Sequence, residues 1–347
     1  LPTRMIQVGF IGLGYMAATH LQAFRQVQGG RVAALCNPSG RHLDGDFTSA
    51  LGNLPGQEPL RWDMTGVKAY RDVAAFLADP SIQVVDICAP THAHHEIALA
   101  ALRAGKHVLC EKPLARTSAQ AREMAAEAAR VGRLLMPAMC LRWFPTWAWL
   151  KEAIASGRYG RVMGAQFRRV AQPPAWGQSN FLNGERSGGA LLDLHIHDVD
   201  FVQYCFGRPK SVFSTGFTKV SGAIDHVLTQ YEVEGGAAVS AEGSWAMTGG
   251  FGFNMSYNVI FERATADYDL SRGESALKLF VEGAPAEVLK PTGIDGYAGE
   301  MQHLLDCVRE GLPLRGVTPA EGVSALEICE AEEKSIRTRQ IVSLRTE

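Results

Sequence analysis

Met5-Ile6-Gln7-Val8-Gly9-Phe10-Ile11-Gly12-Leu13-Gly14-Tyr15-Met16-Ala17 is an apolar run that ends in glycines and opens a stretch of helical periodicity over residues 15–28. Gly12-x-Gly14-x-x-Ala17 at a strand–helix junction is the pattern that admits a dinucleotide. The first glycine permits the tight turn, the second lets backbone approach a pyrophosphate, and the small third residue lets helix and strand pack closely. The pattern alone is common; the alternation of segments C-terminal to it decides the fold. Apolar segments at 31–36, 67–70, 82–88, 107–110 and 134–138 alternate with helical patterns at 92–104 and 117–130. Thr117, with Gln120 three residues on, opens the last of these helices and Gly132 closes it. Strands separated by helices predict an α/β domain with a parallel, doubly wound sheet over residues 1–137.

Residues 138–347 read differently. A helix at 145–156 precedes a strand at 161–170, an irregular Pro/Trp/Gly stretch at 172–189 and a helix at 190–206. In 253–261, Phe253, Met255, Tyr257, Val259 and Phe261 share one face, with Asn254, Ser256 and Asn258 on the other. The segment 237–245 alternates likewise. Such strands predict a second α/β domain with a large open, mostly antiparallel sheet, one face on helices and the other free for water or a second subunit. Helices at 296–310 and 318–338 and a short strand close the chain.

The 347 residues exceed the usual single-domain length, and 46% hydrophobic content can bury a full core. Lys+Arg 34 against Asp+Glu 36 leaves a net charge of −2, which removes the electrostatic case for nucleic acid or an anionic membrane. No apolar run is long enough for a membrane helix, and the opening residues do not read as a signal peptide. Seven cysteines without paired spacing argue for reduced thiols and a cytoplasmic protein.

The chemistry-bearing residues stand at strand ends. Where a dinucleotide fold places an acid for the ribose, this chain has Cys36-Asn37-Pro38-Ser39-Gly40-Arg41. Asn37 can bond a hydroxyl without repelling a 2′-phosphate, and Ser39 and Arg41 could receive one, so NAD and NADP both remain open. The adjacent polar stretch 43–66 has no firm reading. Ala89-Pro90-Thr91-His92 and Glu111-Lys112-Pro113 end two further parallel strands, where such sheets bind ligands. In Gly188-Gly189-Ala190-Leu191-Leu192-Asp193-Leu194-His195-Ile196-His197-Asp198, Asp193 and His197 are four apart and share a helix face, suiting a carboxylate–imidazole pair for proton transfer. His195-x-His197 and the group His92, His94 and His95 raise a metal alternative, but i,i+2 ligands suit strands and these segments read as helix; no metal is expected.

Taken together, these residues resemble the Gfo/Idh/MocA oxidoreductase family, which includes glucose–fructose oxidoreductase and inositol dehydrogenase. The matching pieces are residues 9–16, 89–95, 104–114, Arg142-Trp143-Phe144-Pro145, the Gly-Gly-x-x-x-Asp-x-x-x-His of 188–197, and Tyr297-x-x-Glu300. The resemblance implies a Rossmann domain, a second domain whose sheet makes homodimers or homotetramers, and oxidation of a secondary hydroxyl of a sugar, polyol or related cyclic alcohol, or reduction of the ketone. It implies Lys112 beside the nicotinamide and reacting oxygen, and Asp193 with His197 as the acid/base pair. Tyr15, Met16, Ala89, Pro90, Thr91, His92, His95, Glu111 and Arg142 would line the cofactor cleft. Trp176, Phe181 and Tyr297 are candidates for the substrate wall, since aromatic faces stack on sugar rings. Two departures stand out: Asn37 replaces a frequent acid, and Cys140-Leu141 precede Arg142 where polar residues are common. Two other readings stay open: glycoside cleavage through transient oxidation, and a non-catalytic NAD(P)-binding regulator, against which the retention of Lys112, Asp193 and His197 together speaks.

Overall fold

A computed structural model describes residues 5–50, 52 and 58–344. Residues 1–4, and residues 51 and 53–57 of the polar stretch 43–66, lie outside it. The chain divides into two compact units, residues 1–140 with 294–323, and residues 141–293 with 324–347.

In the first unit β1 (Ile6–Ile11), β2 (Gly30–Cys36), β3 (Lys68–Tyr70), β4 (Val84–Ile87), β5 (His107–Glu111) and β6 (Leu135–Ala138) form one parallel sheet in the order β3-β2-β1-β4-β5-β6. Helices α1 (Tyr15–Phe24), α2 (Val73–Ala78), α3 (His94–Arg103) and α4 (Ser118–Val131) make the crossovers. The order reverses between β1 and β4, the switch point at which such sheets take ligands. The strands carry continuous Val, Ile and Leu because helices cover a parallel sheet on both faces. Thr117 caps α4 by accepting from the Gln120 N–H at 3.3 Å, and Gly132 ends it at φ 65°. The short α2, too brief to show periodicity, was not legible in the sequence; Asp72 caps it through the Ala75 N–H at 2.6 Å.

The second unit begins with α5 (Pro145–Ser156) and β7 (Val162–Ala171). Two single-turn helices, α6 (Gln178–Phe181) and α7 (Gly184–Ser187), occupy the stretch expected to be irregular. The helix expected over 190–206 is two pieces, a π-helical turn at Leu191–His195 and α8 (Ile196–Phe206). Strands β8 (Ser211–Phe217), β9 (His226–Glu232), β10 (Ala238–Ser244), β11 (Phe253–Phe261), β12 (Ala264–Asp269), β13 (Leu277–Val281), β14 (Glu287–Leu289) and β15 (Val342–Ser343) join β7 in a nine-stranded sheet, β14-β13-β12-β11-β7-β10-β9-β8-β15. Every pairing is antiparallel except β10 with β7. The alternation in β11 is realised, with Met255, Tyr257, Val259 and Phe261 buried. Trp147 of α5 is fully buried among Phe167, Phe201, Tyr257 and Tyr268. The opposite face leaves Met163, Phe213, Phe217, Leu228, Ile260 and Phe280 exposed.

The second body expected over 138–347 is not continuous. Residues 294–323 belong with the first unit, because α9 (Gly296–Glu310) packs on α1, β5 and β6. Ala298, Met301, Leu304 and Leu305 form its buried stripe, and each large side chain so buried contributes about 1.5–3 kcal/mol. The last helix, α10 (Pro319–Thr338), runs from there into the second unit.

Candidate active site

At the end of β1 the chain turns at Gly12 with φ 86°, a left-handed conformation; a Cβ there would lie 2.5 Å from the backbone of Ala89 at the end of β4. The two strand ends are thus as close as backbone allows. Gly14 then caps α1 with no side-chain bond to the helix, and a Cβ on Gly14 would meet no protein atom within 4 Å. Among the described residues no protein group explains the second glycine, whereas a pyrophosphate at the N-terminus of α1 does. The residues present fit a dinucleotide. At the ribose position, the Asn37 amide is committed to its own loop: Nδ2 donates to Arg41 O at 2.9 Å, and Oδ1 accepts from the Ser39 hydroxyl at 3.0 Å. Arg41 is exposed, and the Arg71 guanidinium lies so close to Gly40 that a Cβ there would be 2.7 Å from it.

Lys112 follows the last residue of β5 and is half-buried, before a cis bond to Pro113. Its backbone N–H donates to Glu111 Oε2 at 2.9 Å. Glu111 Oε1 in turn accepts from His20 Nε2 at 3.0 Å, and His20 Nδ1 faces Asp86 Oδ2 at 2.9 Å. Glu300 of α9 completes the group, Oε1 lying 3.8 Å from His20 Nε2. His20, Asp86, Glu111 and Glu300 are all buried. Burial opposes a charge on His20, yet Asp86 and Cys88 beside it outweigh that and lift its pKa well above 6.5. Burial also opposes ionisation of Glu111, but the His20 bond and charge hold it below 4.5. For Glu300 burial prevails over the attraction of His20, with Glu111 and Asp86 adding repulsion, and its pKa stands well above 4.5.

In the second unit, Asp193 lies within the π-helical turn and His197 in the first turn of α8, both half-buried. Gly189, at φ 71°, would place a Cβ 2.5 Å from Ile224 O, so the turn before Asp193 presses on the loop that leads into β9. Between the two, His195 faces inward and is fully buried. Its Nε2 lies 3.3 Å from Glu332 Oε1, which accepts from the Tyr231 hydroxyl at 2.6 Å. Gly243 of β10 leaves the room, since a Cβ there would stand 2.5 Å from that of His195. A π-turn inserts one residue into a helix and is frequent at functional sites; here the inward His195 is anchored, and Asp193 and His197, two residues to either side, stay half-buried.

The other expected residues have varied surroundings. Tyr15 and Met16 open α1 and are half-buried; Thr91 is buried; Ala89 is half-buried; Pro90 and His92 are exposed. His95 turns to Glu123 of α4 at 2.8 Å. Arg142 is buried in a bidentate pair with Asp200, Nε to Oδ2 at 2.8 Å and Nη2 to Oδ1 at 2.6 Å, with Tyr204 against its face at 4.5 Å. Trp176 and Phe181 pack edge to face at 6.0 Å, and Phe181 also meets Trp245. Tyr297 is half-buried with its ring 5.6 Å from that of His20. Sequence reasoning missed His94, whose ring nitrogens face Pro113 O at 2.8 Å and Ala89 O at 2.7 Å and so tie the two motif-bearing strand ends together. It also missed His20, and it met Glu300 only as the end of the Tyr297-x-x-Glu300 match, with no role. Their signal was present, a polar residue on the apolar stripe of an amphipathic helix. Among the described residues one group of metal-ligating types gathers, His20, Asp86 and Cys88; both His20 nitrogens there are at hydrogen-bond length from carboxylates.

A glycine turn at the switch point of a doubly wound parallel sheet is the arrangement of a dinucleotide-binding oxidoreductase domain. The chain belongs to the Gfo/Idh/MocA family: residues 6–139 match the model of an oxidoreductase family with an NAD-binding Rossmann fold, and residues 147–267 that of the GFO/IDH/MocA C-terminal domain. It is 27% identical to inositol 2-dehydrogenase 2 of Saccharopolyspora erythraea, over 96% of this chain and 94% of that one. To trans-1,2-dihydrobenzene-1,2-diol dehydrogenase of Oryctolagus cuniculus it is 33% identical, over 78% of this chain and 83% of the relative. Among solved structures, levoglucosan dehydrogenase in complex with NADH and levoglucosan shares the fold, with a TM-score of 0.83 at 21% identity over 98% of this chain and 100% of that one.

Proposed function

We propose that the chain moves a hydride between NADP(H) and a secondary alcohol of a sugar, polyol or related cyclic compound. The observation that carries the reading is the retention of Lys112 at the β5 end together with Asp193 and His197 on the π-turned helix, within an oxidoreductase family whose relatives bear the names of inositol and dihydrodiol dehydrogenases. Bound nicotinamide supplies the hydride acceptor or donor. In the oxidative direction His197 takes the proton of the substrate hydroxyl while the Lys112 cation stabilises the developing alkoxide charge. Asp193 orients His197 or holds a neighbouring hydroxyl. Tyr15, Met16, Ala89 and Thr91 serve the cofactor, and Trp176 and Tyr297 the substrate; Glu111, expected in the cofactor cleft, is buried with both oxygens engaged by His20 and the Lys112 N–H. The preference for the 2′-phosphate rests on the ribose loop: no carboxylate ends β2, Asn37 is engaged internally, and Arg41 and Arg71 are both exposed. The apolar exposed face of the nine-stranded sheet is proposed to carry a homo-oligomer.

The test is a turnover screen on sugars and polyols with both cofactors, repeated for Lys112→Ala and His197→Ala. Each variant should lose at least ~10²-fold in kcat and keep cofactor binding. Near-full activity in either removes its assigned role, and glycoside cleavage without net reduction of cofactor would favour the transient-oxidation reading instead.

A further inference from the structure

Lys112 owes its placement to a chain of buried charges behind the strand end. His20 of α1 touches carboxylates with both ring nitrogens, Asp86 at 2.9 Å and Glu111 at 3.0 Å. With an acidic side chain at hydrogen-bond length from each nitrogen, the geometry suits a ring that donates from both, an imidazolium. Glu111 uses its other oxygen on the Lys112 N–H at 2.9 Å. The lysine backbone thus hangs on a carboxylate that is itself held by a fixed cation.

We propose that His20 is a positioning residue: as a buried imidazolium bridging Asp86 and Glu111, it fixes the orientation of Glu111 and through it the backbone, and hence the ammonium, of Lys112. This rests on the reading of Lys112 as the group that stabilises the reacting oxygen. The groups facing His20 come from every element packed on it: Asp86 and Cys88 at the end of β4, Glu111 of β5, and Glu300 and Tyr297 of α9. Glu111 is held below 4.5 by the bond to His20 and its charge, against the burial that opposes ionisation. Glu300, whose two oxygens have no hydrogen-bond partner, is buried and held neutral. Cys88 is a thiol, its pKa carried above the usual range mainly by burial. Neutralising His20 would leave the Glu111 carboxylate unpaired in a dry interior, where it would take a proton or turn away. Either outcome releases the Lys112 N–H. Displacing a catalytic group by about 1 Å costs on the order of 10²-fold in rate, so the effect reaches chemistry rather than binding.

Two measurements test this. In the wild-type protein labelled with 15N-histidine, the His20 imidazole should show two protonated nitrogens from pH 6 to 8; a neutral tautomer at pH 7.5 overturns the proposal whatever the variants do. In kinetics, with active sites titrated by bound NADPH, His20→Asn and Glu111→Gln should each lower kcat at least ~10-fold, with substrate KM and cofactor Kd within ~2-fold. The double variant should be no worse than the poorer single, because both cut one path. A merely structural role would lower the folded fraction and leave kcat per titrated site intact, and that result refutes positioning. Lys112→Ala separates the two readings. If it is inactive while His20→Asn turns over like wild type, positioning alone fails; if it is active, the catalytic reading of Lys112 fails and the NMR result stands by itself.

Discussion

Glu300→Gln replaces a neutral buried carboxyl by its neutral isostere, and the consequence depends on pH with a definite sign. In the folded chain Glu300 keeps its proton well above 4.5, because burial outweighs the pull of His20. The unfolded chain releases that proton above about 4.5. Over that interval the folded state holds more protons than the unfolded one, so stability falls as pH rises, by about 1.4 kcal/mol per unit. From pH 5 to pH 7.5 the wild type accumulates up to about 3 kcal/mol of this penalty, and the glutamine variant none. His20, with its raised pKa, contributes stability that is full below 6.5 and lost as pH climbs through the folded value; that slope is common to both proteins and cancels in the comparison. At roughly 2–4 °C per kcal/mol for a unit of this size, Glu300→Gln should melt within a degree or two of wild type at pH 5 and measurably above it at pH 7.5, by up to about 6–12 °C. Calorimetric scans at both pH values measure this. Parallel pH dependence in the two proteins would show that Glu300 is ionised when folded, and the account of the buried network would be wrong.

Further perturbations discriminate other parts of the structure. Gly243→Ala puts a methyl 2.5 Å from the His195 Cβ; it should lower kcat on the order of 10²-fold by shifting the π-turn while NADPH binding stays, and unchanged kcat would detach that turn from the chemistry. Arg142→Ala strands buried Asp200 and should cost about 3–5 kcal/mol by urea denaturation, whereas Arg142→Met with Asp200→Leu should recover most of it; equal losses would mean the charges themselves are needed. Arg41→Ala and Arg71→Ala should each weaken NADPH binding by about 10-fold or more, as lost charge-assisted bonds do, with NADH unaffected; equal loss for both cofactors would refute the ribose reading. Phe217→Glu on the exposed sheet face should lower the assembly state seen by light scattering if that face joins subunits.

The periodic segments were legible because one physical rule governed each. Parallel strands covered on both faces read as Val/Ile runs, β11 showed its period of two, and Thr117 and Gly132 marked both ends of α4. The motif residues Lys112, Asp193 and His197 were legible for the opposite reason, since polar groups at strand ends and on an apolar helix are poor packing material. What stayed hidden depends on long-range pairing. His20 shows in the sequence only as a polar residue on the apolar stripe of a helix, and what it does there appears only when Asp86, Glu111 and Glu300, 66 to 280 positions away, close around it. Residues 190–206 carry helical periodicity throughout, and nothing in their spacing announces an inserted π residue; the groups that receive its inward His195, Gly243 and Glu332, lie elsewhere in sequence. Arg142 shows the same limit, because its partner Asp200 is what commits it to the interior.

The return of residues 294–323 to the first unit has a consequence for biosynthesis. A ribosome that has released residues 1–140 has made every strand of the six-stranded sheet but not α9, so α1 and the β5–β6 region await an apolar cover that arrives more than 150 residues later. Until then the α1 and β5 surfaces that α9 covers are exposed, and His20 lacks one of its neighbours. The first unit therefore finishes folding only after the whole second sheet except β15 has been synthesised, and a fragment ending at residue 140 should bind hydrophobic dyes and aggregate. Chimeras that exchange nucleotide-binding units between relatives need crossover points near 140, 294 and 323, so that α9 travels with the sheet it covers.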